Sequence, residues 1–130
     1  MKSSILFQSA SSRYVFIKKL IQFPLEKLLY SRSNKFLRQG KKQLVSFSYE
    51  HISHRINLDG IYEHKELYAL IEWINLIDNG IFDGVALDIG ANIGNHSLFF
   101  SDWFKEVISF EPHPITFQVL KINALLAENI

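Results

Sequence analysis

Two short apolar runs limit what this chain can fold into. Val85-Ala86-Leu87-Asp88-Ile89 and Val107-Ile108-Ser109-Phe110 are separated by 17 residues that open on Gly90-Ala91-Asn92-Ile93-Gly94. Such runs read as parallel strands buried on both faces. Parallel neighbours need a crossover of a dozen or more residues, usually a helix. Residues 95–104 supply one, with Leu98 and Phe99 turned inward. A last helix is expected from about Ile115 to Leu126. The order β-α-β-α starts a doubly wound α/β sheet with right-handed crossovers.

Upstream, the periodicity predicts a helix over 63–78. Leu67, Leu70, Ile71, Ile74 and Ile77 form its apolar stripe, and Asn79-Gly80 stops it. Asp59-Gly60 marks a turn. Alternation over residues 44–49 predicts a short β element, and 55–58 a second extended stretch. Residues 12–31 read as an amphipathic helix that Pro24 should kink or split. Residues 31–42, with Gly40, read as a polar linker. The two Trp and the 11 Phe are expected in the core.

Charge divides the chain in two. Residues 1–42 carry ten basic side chains and one acidic, a net +9; residues 43–130 carry four and twelve, a net −8. This reads as a basic helical segment, 1–42, joined to an acidic domain, 43–130, whose core starts near residue 84. The basic segment suits peripheral contact with a membrane surface. No nucleic-acid partner is expected, because the basic residues lie away from the aromatic ones. The 48% hydrophobic content excludes a wholly disordered chain. The lack of Cys excludes disulfides, thiolate metal sites and a thiol nucleophile. His51-x-x-His54 has no evident third ligand, so no metal is expected.

The Gly-rich turn lies where open α/β sheets bind ligands, at the carboxyl end of a strand. Gly90 and Gly94 permit a tight turn and close approach. The next helix N-terminus suits a carboxylate. Glu111 ends the neighbouring strand, 21 residues after Gly90. An acid at that distance accepts hydrogen bonds from ribose hydroxyls. Pro112 can face a nucleobase. A dinucleotide fingerprint, G-x-G-x-x-G, has Asn92 and Asn95 at its second and third glycines here. Asp88 beneath the turn repels a pyrophosphate and favours an ammonium or sulfonium. S-adenosylmethionine offers both cations, a ribose and a carboxylate.

The stretch Leu87-Asp88-Ile89-Gly90-Ala91-Asn92-Ile93-Gly94-Asn95-His96-Ser97, followed by Phe110-Glu111-Pro112-His113-Pro114, closely resembles FkbM-type S-adenosylmethionine-dependent methyltransferases. Leu120-Lys121-Ile122-Asn123 and Gly60-Ile61-Tyr62-Glu63 are similar to flanking parts of that family. The resemblance spans residues 57–130. It implies a Rossmann-like class I methyltransferase fold and O-methylation of a hydroxyl on a small molecule, sugar, glycan or secondary metabolite. By resemblance Asp88, Gly90, Ala91, Asn92, Gly94 and Asn95 line the methionine end, Glu111 holds the ribose, and Pro112 and His113 lie near the adenine.

Only 47 residues run from Gly84 to Ile130. Just the first two strands of the family's sheet fit, so the rest of the sheet, the acceptor pocket and the general base are expected in a longer enzyme. No methyl transfer is expected of these residues alone, and no catalytic residue is assigned. An open sheet edge predicts marginal stability. The rival readings are a non-catalytic remnant or membrane-surface module, and a nicotinamide-dependent oxidoreductase. Polar residues and Arg13 interrupt the first apolar stretch, a poor signal peptide, so a cytoplasmic or membrane-peripheral location is expected.

Overall fold

The computed structural model describes residues 2–130, with side chains from residue 14 onward. It is mixed α/β, with five α-helices and a two-stranded parallel sheet among the described residues. Two units divide between Gln39 and Gly40.

The first unit is one helix, α1, Lys2–Arg38. Of the expected kink or split at Pro24, the split is corrected: one helix runs through Pro24, and it also continues across residues 31–38, which were expected as a linker. Lys35, Phe36, Leu37 and Arg38 tolerate helix well, and no Gly or Pro interrupts before Gly40. Gly40 then takes a left-handed φ of 70°.

The second unit, Gly40–Ile130, holds the sheet. Its elements are α2 (His51–Asp59), α3 (His64–Ile77), a 3₁₀ turn (Asn79–Asp83), β1 (Val85–Ile89), α4 (Asn95–Phe100), β2 (Glu106–Phe110) and α5 (Pro114–Ala124). β1 and β2 pair in parallel, with Asp88 opposite Ser109 and Ile89 opposite Phe110. The strands therefore end level, and the turn after β1 sits beside Glu111. α2 ends at Gly60, whose φ of 85° and N–H to Ile56 C=O close the helix.

Leu67, Ile71 and Phe99 form the core, with Ile61, Phe82, Phe100 and Phe104 packed around them. Burial depends on which sheet face is covered. Asp88 and Val107 are buried, while Val85, Leu87, Ile89, Ile108 and Phe110 are exposed. The strands were expected to be buried on both faces; α4 packs against both strands, and the alternate side chains are left bare.

Other expectations also change. Residues 44–49 form no strand. The Asn123 amide takes the part of a pairing partner: Val45 N–H donates to Asn123 Oδ1 at 2.7 Å, and Asn123 Nδ2 donates to Val45 C=O at 2.8 Å. Residues 55–58 are helical, inside α2. The crossover helix ends at Phe100 rather than 104. Backbone N–H groups of the following turn hold most of its last carbonyls, while Leu98 C=O accepts from Ser101 Oγ–H at 2.8 Å and from Lys42 Nζ at 3.4 Å; Lys42 also donates to Ser101 Oγ at 3.0 Å and pairs with Asp102 at 2.7 Å. The α3 stripe is buried only at Leu67 and Ile71; Leu70 and Ile77 are exposed. Trp73, Trp103, Phe16, Phe23, Phe110 and Phe117 are exposed rather than in the core.

Candidate functional site

The turn from β1 into α4 is built by two backbone devices. Gly90 N–H and Ala91 N–H both donate to Phe110 C=O at 2.9 Å, tying the turn to the end of β2. Gly90, Asn92 and Gly94 take left-handed φ values of 84°, 50° and 88°. Asn tolerates that region better than most side-chain-bearing residues, so Asn92 serves in place of a third glycine.

The two glycines have different reasons. A Cβ on Gly90 would meet no atom within 4 Å, so this position opens toward free space. A Cβ on Gly94 would sit 2.7 Å from Leu120 Cδ1. Gly94 therefore lets α5 approach the turn; it was read in the sequence as making room for a ligand.

Glu111 bridges the strand ends. Its Oε2 accepts Asn92 N–H at 2.9 Å and its Oε1 accepts His113 N–H at 2.8 Å. A carboxylate has about four lone-pair positions, so about half of its accepting capacity stays free. Asp88 faces α4 and is buried. Its Oδ2 accepts Ser97 Oγ–H at 2.6 Å, and Ser109 Oγ–H donates to Ser97 Oγ at 2.8 Å. This hydroxyl chain compensates the desolvation of the acid. Its charge lies behind the turn, against α4.

Asn95 and His113 have structural tasks. The Asn95 amide accepts Tyr62 N–H at 3.1 Å and donates to Tyr62 C=O at 3.1 Å, clamping the segment before α3. His113 caps α5: Thr116 N–H donates to its Nδ1 at 3.3 Å. Pro112 is exposed beside it. Asn123, fully buried, donates to Ile93 C=O at 2.7 Å and so supports the turn from beneath.

Above the turn lies a cavity of about 190 Å³ lined by Gly90, Ala91, Asn92, Asn95, Tyr62 and His96, with Ile52 and Ile93. Asn92, one of the lining residues, has a buried Oδ1 without a hydrogen-bond partner. His96 Nε2 lies 3.2 Å from Glu63 Oε2 but out of hydrogen-bond alignment. Glu63 holds a left-handed φ of 56°. It raises the proton affinity of the Tyr62 hydroxyl, first by accepting its hydrogen bond and then through its charge. The lining contains no Lys or Arg.

Of the expected residues, the cavity wall holds Gly90, Ala91, Asn92 and Asn95, and Glu111 is linked to it through Asn92. Asp88, Gly94, Pro112 and His113 do not line it. Tyr62, His96, Ser97 and Ser109 were not singled out as site residues. Tyr62 carried a signal, since it stands in the Gly60–Glu63 stretch that resembles the family. The serines carried none. Among the described residues no group of three His, Cys, Asp or Glu could hold a metal ion.

The residues fit one end of an S-adenosylmethionine-like ligand. An unpaired buried carbonyl oxygen seeks a donor, Gly90 leaves room, and no cation in the wall opposes an ammonium. No family model, curated protein or solved structure matches the chain.

Proposed function

We propose that Gly40–Ile130 is the cofactor-binding part of an S-adenosylmethionine-dependent O-methyltransferase with a Rossmann-like sheet. The observation that carries this reading is the Glu111 carboxylate, set at the end of β2 and hydrogen-bonded to Asn92 in the turn after β1. The adjacent strand ends thus offer a half-used carboxylate for vicinal hydroxyls beside a glycine turn open to solvent. Asn92 Oδ1 accepts a hydrogen bond from the ligand's ammonium. Gly90 admits the chain next to it. Asn95 keeps Tyr62 over the cavity and so limits water there. When bound, the cofactor supplies an electrophilic methyl group. The acceptor class follows the family resemblance: a hydroxyl of a small molecule, sugar or glycan.

Titration calorimetry of the full chain with S-adenosylhomocysteine tests the reading. Glu111→Ala should weaken binding by about 2–4 kcal/mol, from two hydrogen bonds to a charged group. No binding by the unaltered chain overturns the reading. Unchanged affinity in the variant overturns the ribose role of Glu111. Binding of NADH in place of S-adenosylhomocysteine would instead support the oxidoreductase reading.

A further inference from the structure

We propose that α1 is a docking helix for an anionic lipid surface, lying in the plane of the membrane rather than crossing it. The first observation is its bareness. Ile17, Leu20, Ile21, Leu25 and Leu28 are 53–64% exposed. Most helices in proteins gain their stability by packing an apolar face. Within α1 itself these side chains find no partner for such a face, because a single helix cannot bury its own stripe.

The second observation is the register. At 3.6 residues per turn, Ile17, Leu20, Ile21, Leu25 and Leu28 share one side of α1. Arg32, Lys35 and Arg38 follow Leu28 at four, seven and ten residues, so they continue along that side. Lys18 and Lys27 flank the stripe on its two edges. Glu26, the one acid in the helix, lies on the opposite side and accepts a hydrogen bond from Gln22 at 2.6 Å. One side of a single helix is therefore apolar and then cationic, with no acid on it.

Charge and shape select the occupant. A lipid surface accepts apolar side chains at acyl depth and Lys/Arg among its phosphates at once, with long basic stems reaching up from the stripe's edges. A nucleic acid would leave the apolar stripe wet. A parallel second copy would set Arg32, Lys35 and Arg38 against the same charges, and Pro24 lies within the seam. No helix among the described residues is long and apolar enough to cross a membrane, which leaves the in-plane orientation.

The test is co-flotation of the full chain with phosphatidylcholine vesicles, with and without phosphatidylserine. Binding is expected only with phosphatidylserine. It should weaken when salt rises from about 0.1 to about 1 M, which shortens the Debye length from roughly 10 to 3 Å. Each basic residue at such a surface contributes about fivefold in affinity. Arg32→Gln, Lys35→Gln and Arg38→Gln together should therefore lower partitioning about 100-fold. Lys19→Gln, on the far side, should change it by about twofold or less. Trp73 and Trp103 lie outside α1, so unchanged tryptophan emission shows that these variants leave the second unit folded. Equal binding to both vesicle types, or a triple variant that binds like the parent, overturns the proposal. So does a chain that ignores vesicles and sediments as a dimer that Leu20→Ser with Leu28→Ser dissociates; the stripe would then be a contact between copies.

Discussion

Gly94→Ala should damage the protein far more than Gly90→Ala, although both glycines are left-handed and only four residues apart. Each substitution forces a side-chain-bearing residue into the left-handed region, at about 1–2 kcal/mol. For Gly90 that is the whole cost, because a new Cβ meets nothing within 4 Å. For Gly94 the methyl also lands 2.7 Å from Leu120 Cδ1. Leu120 is 3% exposed and cannot swing into solvent. Overpacking of this kind adds about 1–3 kcal/mol. The expected losses are about 2–5 kcal/mol at Gly94 and about 1–2 at Gly90. At about 0.05–0.15 kcal/mol per residue, the 91 residues of Gly40–Ile130 have about 5–14 kcal/mol in all, so the Gly94→Ala loss is a sizeable part of the unit's stability.

Urea unfolding followed by Trp73 and Trp103 fluorescence reads this difference as a shift in midpoint at constant slope. A double-mutant cycle isolates the contact. Leu120→Ala alone should cost about 2–5 kcal/mol through the cavity it leaves. In the Gly94→Ala background it also removes the clash, so the pair should cost about 1–3 kcal/mol less than the sum of the singles. Equal losses at the two glycines, or strict additivity with Leu120→Ala, would refute the steric argument.

Three further outcomes are expected. Asn123→Ala should cost about 2–4 kcal/mol, because it removes hydrogen bonds to Val45 and Ile93 and strands buried backbone groups; limited trypsin digestion should then cut faster at Lys41 and Lys42. Ser97→Ala takes the donor from the buried Asp88 carboxylate and should cost about 1–3 kcal/mol, while Asp88→Asn in that background should recover part of the loss, as urea midpoints would show. Tyr62 should titrate above the ordinary tyrosine value of 10.0, owing to the Glu63 hydrogen bond and charge. The folded state then favours the neutral phenol, so this contribution is complete below pH 10 and fades as the pH rises through the folded value; ultraviolet titration of Glu63→Gln should show Tyr62 ionising earlier.

The strand–turn–strand unit was legible because its signals are local. Two apolar runs, a crossover of sufficient length and a glycine turn lie within 26 consecutive residues, Val85–Phe110, and parallel pairing of those runs follows from their spacing. The expected β element at 44–49 failed for a related reason. Alternation shows that a segment can be extended, but not that a strand is available beside it. The apolar runs were expected to be covered on both faces for want of information about how many elements pack on the sheet. α4 covers one face, and Leu87 and Ile89 on the other are 59% and 80% exposed.

The candidate site divides along the same line. Sequence alone put the glycine turn and Glu111 at neighbouring strand ends, because parallel strands bring their carboxyl ends to one side whatever surrounds them. It also determined that a cationic stretch precedes an acidic one, since charge is additive along a chain. Only the tertiary structure decided that Gly94 serves α5 while Gly90 serves open space, that Asp88 turns toward Ser97, and that Asn123 holds Val45 from 78 residues away. Those roles depend on which side chain another element brings within about 3 Å, the reach of a hydrogen bond. A residue's own neighbours in sequence carry no record of that.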